Sequence, residues 1–240
     1  MQFAIPQRLE AFWTRRIAWQ RWVMGIAGTL LAWPVVMTLV YGVLSPPISN
    51  LMIARLFTGN GLHKQWVDLD QMSPNLVRAV LSSEDARFCL HHGVDWVEFQ
   101  DAMSGGEDGE GPTRGASTIS MQTAKNLFLW DGHAAIVRKV LEMPMAYWMD
   151  FVWTKRRMIE VYLNIVEWAP GVYGAEAAAQ LHFRKSAARL TKREAALLAA
   201  VLPNPIKRSA GKPSRRVQAI AARIQMRMSG MDFYLACISK

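Results

Sequence analysis

From Val23 to Leu44 the chain carries no charged residue. At about 1.5 Å per residue such a run forms a helix about 33 Å long, enough to cross roughly 30 Å of hydrocarbon. Pro34 stands in the middle of it; proline damages a soluble helix, whereas a spanning helix tolerates the resulting kink when neighbouring groups recover the freed carbonyl. Arg8, Arg15, Arg16 and Arg21 precede the run against a single Glu10. The positive-inside bias then keeps the N-terminus in the cytoplasm and exports the chain beyond the run. A cleaved signal peptide is the alternative, but the apolar stretch is long for one and Ser45-Pro46-Pro47 offers no small-x-small cleavage site. The sequence therefore divides into a basic cytoplasmic N-terminus at 1–22, a transmembrane helix at 23–44, a membrane-proximal linker segment at 45–72 and a folded domain at 73–240.

The exported part reads as mainly α. Ser73-Pro74 is an N-cap followed by proline at the first helical position, and Leu76, Val77, Val80 and Leu81 form an apolar face that carries the helix to Glu84. Further helices are expected from Ser117-Thr118 through Asn126, at Ala134 to Phe151, Lys155 to Glu167 and Gly174 to Phe183. Thr191-Lys-Arg-Glu194 is a capping box opening an apolar run to Leu202, and a tail rich in Arg and Met from Arg215 to Met228 forms one more helix. Residues 104–115 are glycine-rich and acidic and read as a loop, strand-like alternation is nearly absent, and Leu51 to Phe57 is a short apolar piece suited to an interface. The net charge of +9 suits an anionic partner without choosing among nucleic acid, anionic lipid and a phosphorylated substrate. Cys89 and Cys237 give no readable disulfide framework. His63, His91 and His133 lack partners at metal-ligand spacing.

Glu84-Asp85 alone is what many surface helices end on. Its sequel is more telling: Arg87, Phe88, His92-Gly93 and Asp95 follow in a compact stretch, and a polar cluster then runs from Arg114 through Ser117, Thr118, Met121, Gln122, Lys125 and Asn126. By i,i+4 spacing Thr118, Gln122 and Asn126 share one helical stripe, with Ser117, Met121 and Lys125 on the next. The start of that helix is expected to offer free N–H groups to phosphate oxygens. Arg138, Lys139 and Glu142 follow on another helix, where an ordinary surface ion pair is the plainer account.

These blocks resemble the family 51 glycosyltransferases, specifically the monofunctional biosynthetic peptidoglycan transglycosylases. The likeness spans roughly residues 73 to 210 through Glu-Asp-Ala-Arg-Phe with His-His-Gly-Val-Asp-Trp, Arg-Gly-Ala-Ser-Thr-Ile-Ser, Arg-Lys-x-x-Glu, Lys-Arg-Arg-Met-Ile-Glu-Val-Tyr-Leu-Asn with Gly-Val-Tyr-Gly-Ala-Glu, and Glu-Ala-Ala-Leu-Leu-Ala-Ala-Val-Leu-Pro-Asn-Pro. No transpeptidase domain fits after residue 240, in keeping with the monofunctional form. The resemblance implies a lysozyme-like helical glycosyltransferase domain with a small membrane-proximal jaw, to which the 45–72 segment would belong. It implies that the growing glycan on undecaprenyl pyrophosphate is the donor and the 4-hydroxyl of lipid II the acceptor. Glu84 would then be the general base and Asp85 a keeper of geometry. Lys125, Arg138 and Lys139 would face pyrophosphate, with Glu142 as second carboxylate organising those cations or a divalent metal. Arg114, Ser117, Thr118, Gln122 and Asn126 would line the donor side, and Arg157 and Asn164 the core of the cleft. No cofactor is obligatory, magnesium or manganese being the one the resemblance leaves room for. Expected partners are the membrane, lipid II, the lipid-linked glycan and other proteins of wall synthesis or division, but not nucleic acid. The catalytic domain would be periplasmic on an inner-membrane anchor.

Met121 departs from the family, which usually has the first of a Gln-Gln pair there; the thioether is expected to weaken the donor site and Met121→Gln to raise activity. Ala169, where glycine is common, and the acidic loop before Arg114 are milder departures. The rival readings are an inactive membrane-anchored scaffold and a lysozyme-like lytic enzyme. Cleavage of a neutral glycosidic bond has no use for the cations at 125, 138 and 139.

Overall fold

The computed structural model describes residues 7–103, 117–130, 135–231 and 235–238, and of residues 7–18 and Met103 the backbone alone. Arg114 and the glycine-rich stretch 104–115 lie outside the described residues. The chain divides at Tyr41 and Gly42 into two compact units. The first holds one helix, α1 (Gln7–Tyr41), within which Trp19–Tyr41 is long and apolar enough to cross a membrane. This helix runs unbroken through Pro34, and the Thr38 hydroxyl donates to the Pro34 carbonyl at 2.7 Å.

The second unit is mainly α, a lysozyme-like helical lobe with one small sheet. After α2 (Asn50–Leu56) come β1 (His63–Lys64), α3 (Pro74–Glu84), α4 (Trp96–Met103), α5 (Ile119–Phe128), α6 (Ala135–Val152), α7 (Lys155–Ile165), β2 (Glu167–Ala169), β3 (Val172–Tyr173), α8 (Ala175–Phe183), α9 (Lys192–Val201) and α10 (Arg215–Met228). The strand order is β1-β3-β2, with β1 parallel and β2 antiparallel to β3. Two elements depart from the sequence reading. The helix expected to reach Glu167 stops at Ile165, because Glu167 enters β2 and turns inward to accept from the Arg55 side chain at 3.1 Å and the Gly171 N–H at 3.1 Å. A helix not anticipated, α4, starts where the Asp95 carboxylate accepts from the N–H groups of Val97 and Glu98 at 3.1 and 3.2 Å. That is an N-cap inside what reads in sequence as a turn.

The core forms where α3, α9 and α10 pack together and where α5 packs between α6 and α7. The Ser73 side chain accepts from the Asn75 N–H at 3.3 Å to start α3, and the Thr191–Glu194 capping box closes reciprocally at 3.3 and 2.9 Å to start α9. Glycine is required at 93: its φ is +74°, and a Cβ there would lie 2.7 Å from the backbone carbonyl of Ala146 on α6. Cys89 and Cys237, between which sequence spacing suggests no bond, form a disulfide with Cα atoms 5.6 Å apart. The fold returns the chain, 148 residues on, to the stretch that follows α3.

Candidate active site

Glu84 ends α3 and points into a cleft of about 370 Å³ that α3, α5, α9 and α10 wall. Gln122 on α5 donates its amide N–H to Glu84 Oε2 at 3.1 Å, and the buried Tyr162 hydroxyl donates to the Gln122 amide oxygen at 2.9 Å. Tyr162 thereby fixes which end of the amide faces Glu84, since an oxygen occupied by a hydroxyl proton leaves only the NH₂ to meet a carboxylate. Burial holds the Tyr162 pKa well above 10, so it remains a donor. Burial also raises the Glu84 pKa, as does the Asp85 charge; the Gln122 bond, the Ser83 hydroxyl and Arg208 oppose the rise. A carboxylate so placed is poised to accept a proton.

Asp85 does not face a ligand in the same way. Its Oδ2 accepts the Ile119 N–H at 2.9 Å, and both its oxygens meet His91 Nε2, at 2.9 and 3.1 Å. The start of α5, expected to be open to phosphate, is thus already filled by the protein's own carboxylate: Thr118 Oγ1 takes the Met121 N–H at 3.2 Å and the Thr118 carbonyl takes that of Gln122 at 3.0 Å. The Thr118 hydroxyl itself donates to the Gly93 carbonyl at 2.5 Å. His91 is a residue the sequence reading passed over as a failed metal ligand; its spacing of six from Asp85 could have marked it. Lys155 secures the same stretch by donating to the His91 carbonyl at 2.7 Å, pairing with Asp150 at 2.6 Å and lying 4.6 Å from the Phe88 ring centre.

Beside the Glu84 cleft lies a second cavity, also about 370 Å³, lined by Ser117, Gln122, Lys125, Arg138, Lys139 and Glu142 among others. Ser117 and Gln122 line both, so the two cavities share a wall. Glu142 is buried and holds the cations: Arg138 Nε donates to its Oε1 at 3.0 Å and Lys139 Nζ lies 3.3 Å from its Oε2. Lys139 also donates to the Ser117 hydroxyl at 2.5 Å, and burial lowers its pKa. With both oxygens of Glu142 engaged by cations, its geometry fits their organisation. Among the described residues no group of three His, Cys, Asp or Glu side chains is placed to hold a metal ion.

Four residues assigned to the cleft or its donor side lie elsewhere. Arg157 pairs with Glu160, donates to the Leu44 carbonyl at 2.8 Å and lies 5.4 Å from the Trp66 ring centre, at the entry of the chain into this unit. Asn164 is fully buried and clamps Val67, accepting its N–H at 3.0 Å and donating to its carbonyl at 2.9 Å. Asn126 is buried on α5 and lines neither cavity. Met121 is fully buried against Val94, Ala146 and Met143. The i,i+4 stripes are real, but they divide differently: Gln122 and Lys125 face the cavities, while 121 and 126 face the core. Met121→Gln is therefore expected to lower stability by about 1–3 kcal/mol, the penalty of burying an amide without partners, instead of raising activity. Chemical denaturation would measure it, and an unchanged midpoint with faster turnover would restore position 121 to the site.

A sequence model of the Transglycosylase family matches residues 50–231. The biosynthetic peptidoglycan transglycosylase of Agrobacterium fabrum is 54% identical over 192 residues, which are 80% of this chain and 84% of that protein. The protein of the same name from Rhizobium leguminosarum bv. trifolii is 45% identical over 234 residues, covering 98% of this chain and 99% of the relative. That of Rhodopseudomonas palustris strain HaA2 is 52% identical over 194 residues, 80% of this chain and 85% of its own length.

Proposed function

The chain belongs to the transglycosylase family, and from that premise we propose that it is a peptidoglycan glycosyltransferase that polymerises lipid II from a membrane anchor. The observation that carries the mechanism is the pair of cavities with a shared wall, one holding a carboxylate of raised pKa and the other lined by three cations, of which Arg138 and Lys139 pair with Glu142. In the Glu84 cleft the acceptor's 4-hydroxyl gives its proton to Glu84 as its oxygen attacks C1 of the donor sugar. The bond from C1 to the pyrophosphate oxygen breaks, and the charge that develops on the departing lipid pyrophosphate falls on Lys125, Arg138 and Lys139. Asp85 and Glu142 keep the base and the cations in place. A hydrolase acting on a neutral glycosidic bond would leave the second cavity without a role.

A membrane anchor confines the enzyme to the bilayer that also holds a lipid-linked substrate, raising that substrate's effective concentration. Ile136, Val137 and Val140 on α6 are exposed beside Arg138 and Lys139, an apolar and basic combination suited to an anionic lipid surface. Export of the catalytic unit to the oxidising side of the inner membrane agrees with the Cys89–Cys237 disulfide, and Arg8, Arg15, Arg16 and Arg21, which precede the uncharged run within α1, agree with a cytoplasmic N-terminus. Purified full-length protein in detergent is expected to convert labelled lipid II into glycan polymer. Release of sugar fragments from finished peptidoglycan, with no extension of lipid II, would overturn the synthetic reading.

A further inference from the structure

The arginine-rich helix α10 has no part in the proposed chemistry, yet it forms one wall of the Glu84 cleft through Ile220, Arg223, Ile224 and Arg227. Its sequence places two stripes side by side. Val217, Ala221, Ile224 and Met228 are buried, and each stands one residue after a member of the set Arg216, Ile220, Arg223 and Arg227. The arginines therefore stand at the border of the buried face, where the aliphatic stem lies along apolar surface and the guanidinium reaches water. Arg223 and Arg227 are the basic residues lining this cleft among those described, and Lys125, Arg138 and Lys139 line only the other cavity. The two cavities thus have separate sets of cations.

An acceptor whose 4-hydroxyl meets Glu84 brings its own anions with it, a pyrophosphate and the carboxylates of its peptide. These cannot share the cations that hold the donor's pyrophosphate, because like charges brought close repel strongly in a cleft of lowered dielectric. The rest of the lining adds to the need, since the Glu84 and Glu98 carboxylates line the same cleft, whereas Asp85 and Asp95 are engaged by His91 and Arg87. We propose that Arg223 and Arg227 form an anion-binding wall for the acidic groups of the incoming acceptor. This rests on the reading of the Glu84 cleft as the acceptor's place.

The test compares full-length protein with the Arg223→Gln, Arg227→Gln double variant, using lipid II and a lipid-linked disaccharide pyrophosphate that lacks the peptide. The double variant is expected to raise KM for lipid II about three- to tenfold, the range for losing two exposed charge contacts, with a smaller effect on kcat and a KM less sensitive to salt. Arg223→Lys with Arg227→Lys should recover most of the affinity. If the penalty persists on the peptide-free substrate, the pyrophosphate is the ligand. If the wild type already shows the raised KM there and the variant adds nothing, the peptide carboxylates are. Equal KM for wild type and variant on both substrates, with the wild type polymerising, would overturn the wall alone; failure of the wild type to polymerise would overturn the proposed function and the wall with it. Thermal midpoints check folding, and Arg223→Gln alone replaces the double variant should that one unfold.

Discussion

Replacing Glu84 by glutamine is expected to reduce lipid II polymerisation by about 10²- to 10⁴-fold, the range over which a positioned general base acts, while the protein folds and still binds substrate. An amide of the same shape keeps its place beside Gln122 but cannot take the acceptor's proton. The same substitution is expected to stabilise the protein at neutral pH. Because burial raises the pKa of Glu84 in the folded state, the native protein holds this proton more tightly than the unfolded chain. The stabilisation from that proton is complete below the ordinary carboxylate pKa and is lost as pH rises through the higher folded value. A glutamine has no such loss, so the stability gap between variant and wild type should open as pH rises above the ordinary carboxylate range and through the raised pKa of Glu84, and close at acid pH. The rate of the wild type should rise over the same window as Glu84 ionises. Initial rates and denaturation midpoints across pH measure both. Substantial polymerisation by Glu84→Gln would remove Glu84 from the base role, and a variant less stable than wild type at neutral pH would contradict the burial argument.

Lys139→Met is expected to slow polymerisation by about 10²-fold, the scale for removing one preorganised group that meets developing charge. Methionine keeps the length and apolar body of the stem. It deletes the ammonium that joins Ser117 to Glu142. Because Arg138 still neutralises Glu142, the variant should fold normally, which separates a loss of leaving-group stabilisation from a collapse of the cavity. Single-turnover rates with saturating lipid II make the comparison; a rate within twofold of wild type would remove Lys139 from the leaving-group site.

Helices with strong local signals were legible in the sequence: Ser73-Pro74, the Thr191–Glu194 box and the apolar period of Arg215 to Met228 each specify an element through contacts within a few residues. The short strands and the Cys89–Cys237 pair were not, because their partners lie far along the chain and only the folded topology supplies them. The site divides in the same manner. Which residues carry charge was plain, and so was the spacing that puts them on common faces, but spacing does not say which face is turned inward. Met121 and Gln122 are neighbours in sequence, yet one is packed under α6 and the other bridges two cavities. Arg157 and Asn164, set in a stretch dense with motif residues, serve the backbone at Leu44 and Val67 instead.

The bonds of Asp85 bear on how the enzyme meets its substrate. One carboxylate ties the end of α3, the first turn of α5 and the loop at His91 to a single point. The base and the wall formed by Ser117 and Gln122 are thereby hinged on the same pin. A sugar entering the cleft finds the proton acceptor already in register with the partition across which its new bond must form, and the entropy of bringing those parts together has been lost once, during folding, and is not lost again at each addition.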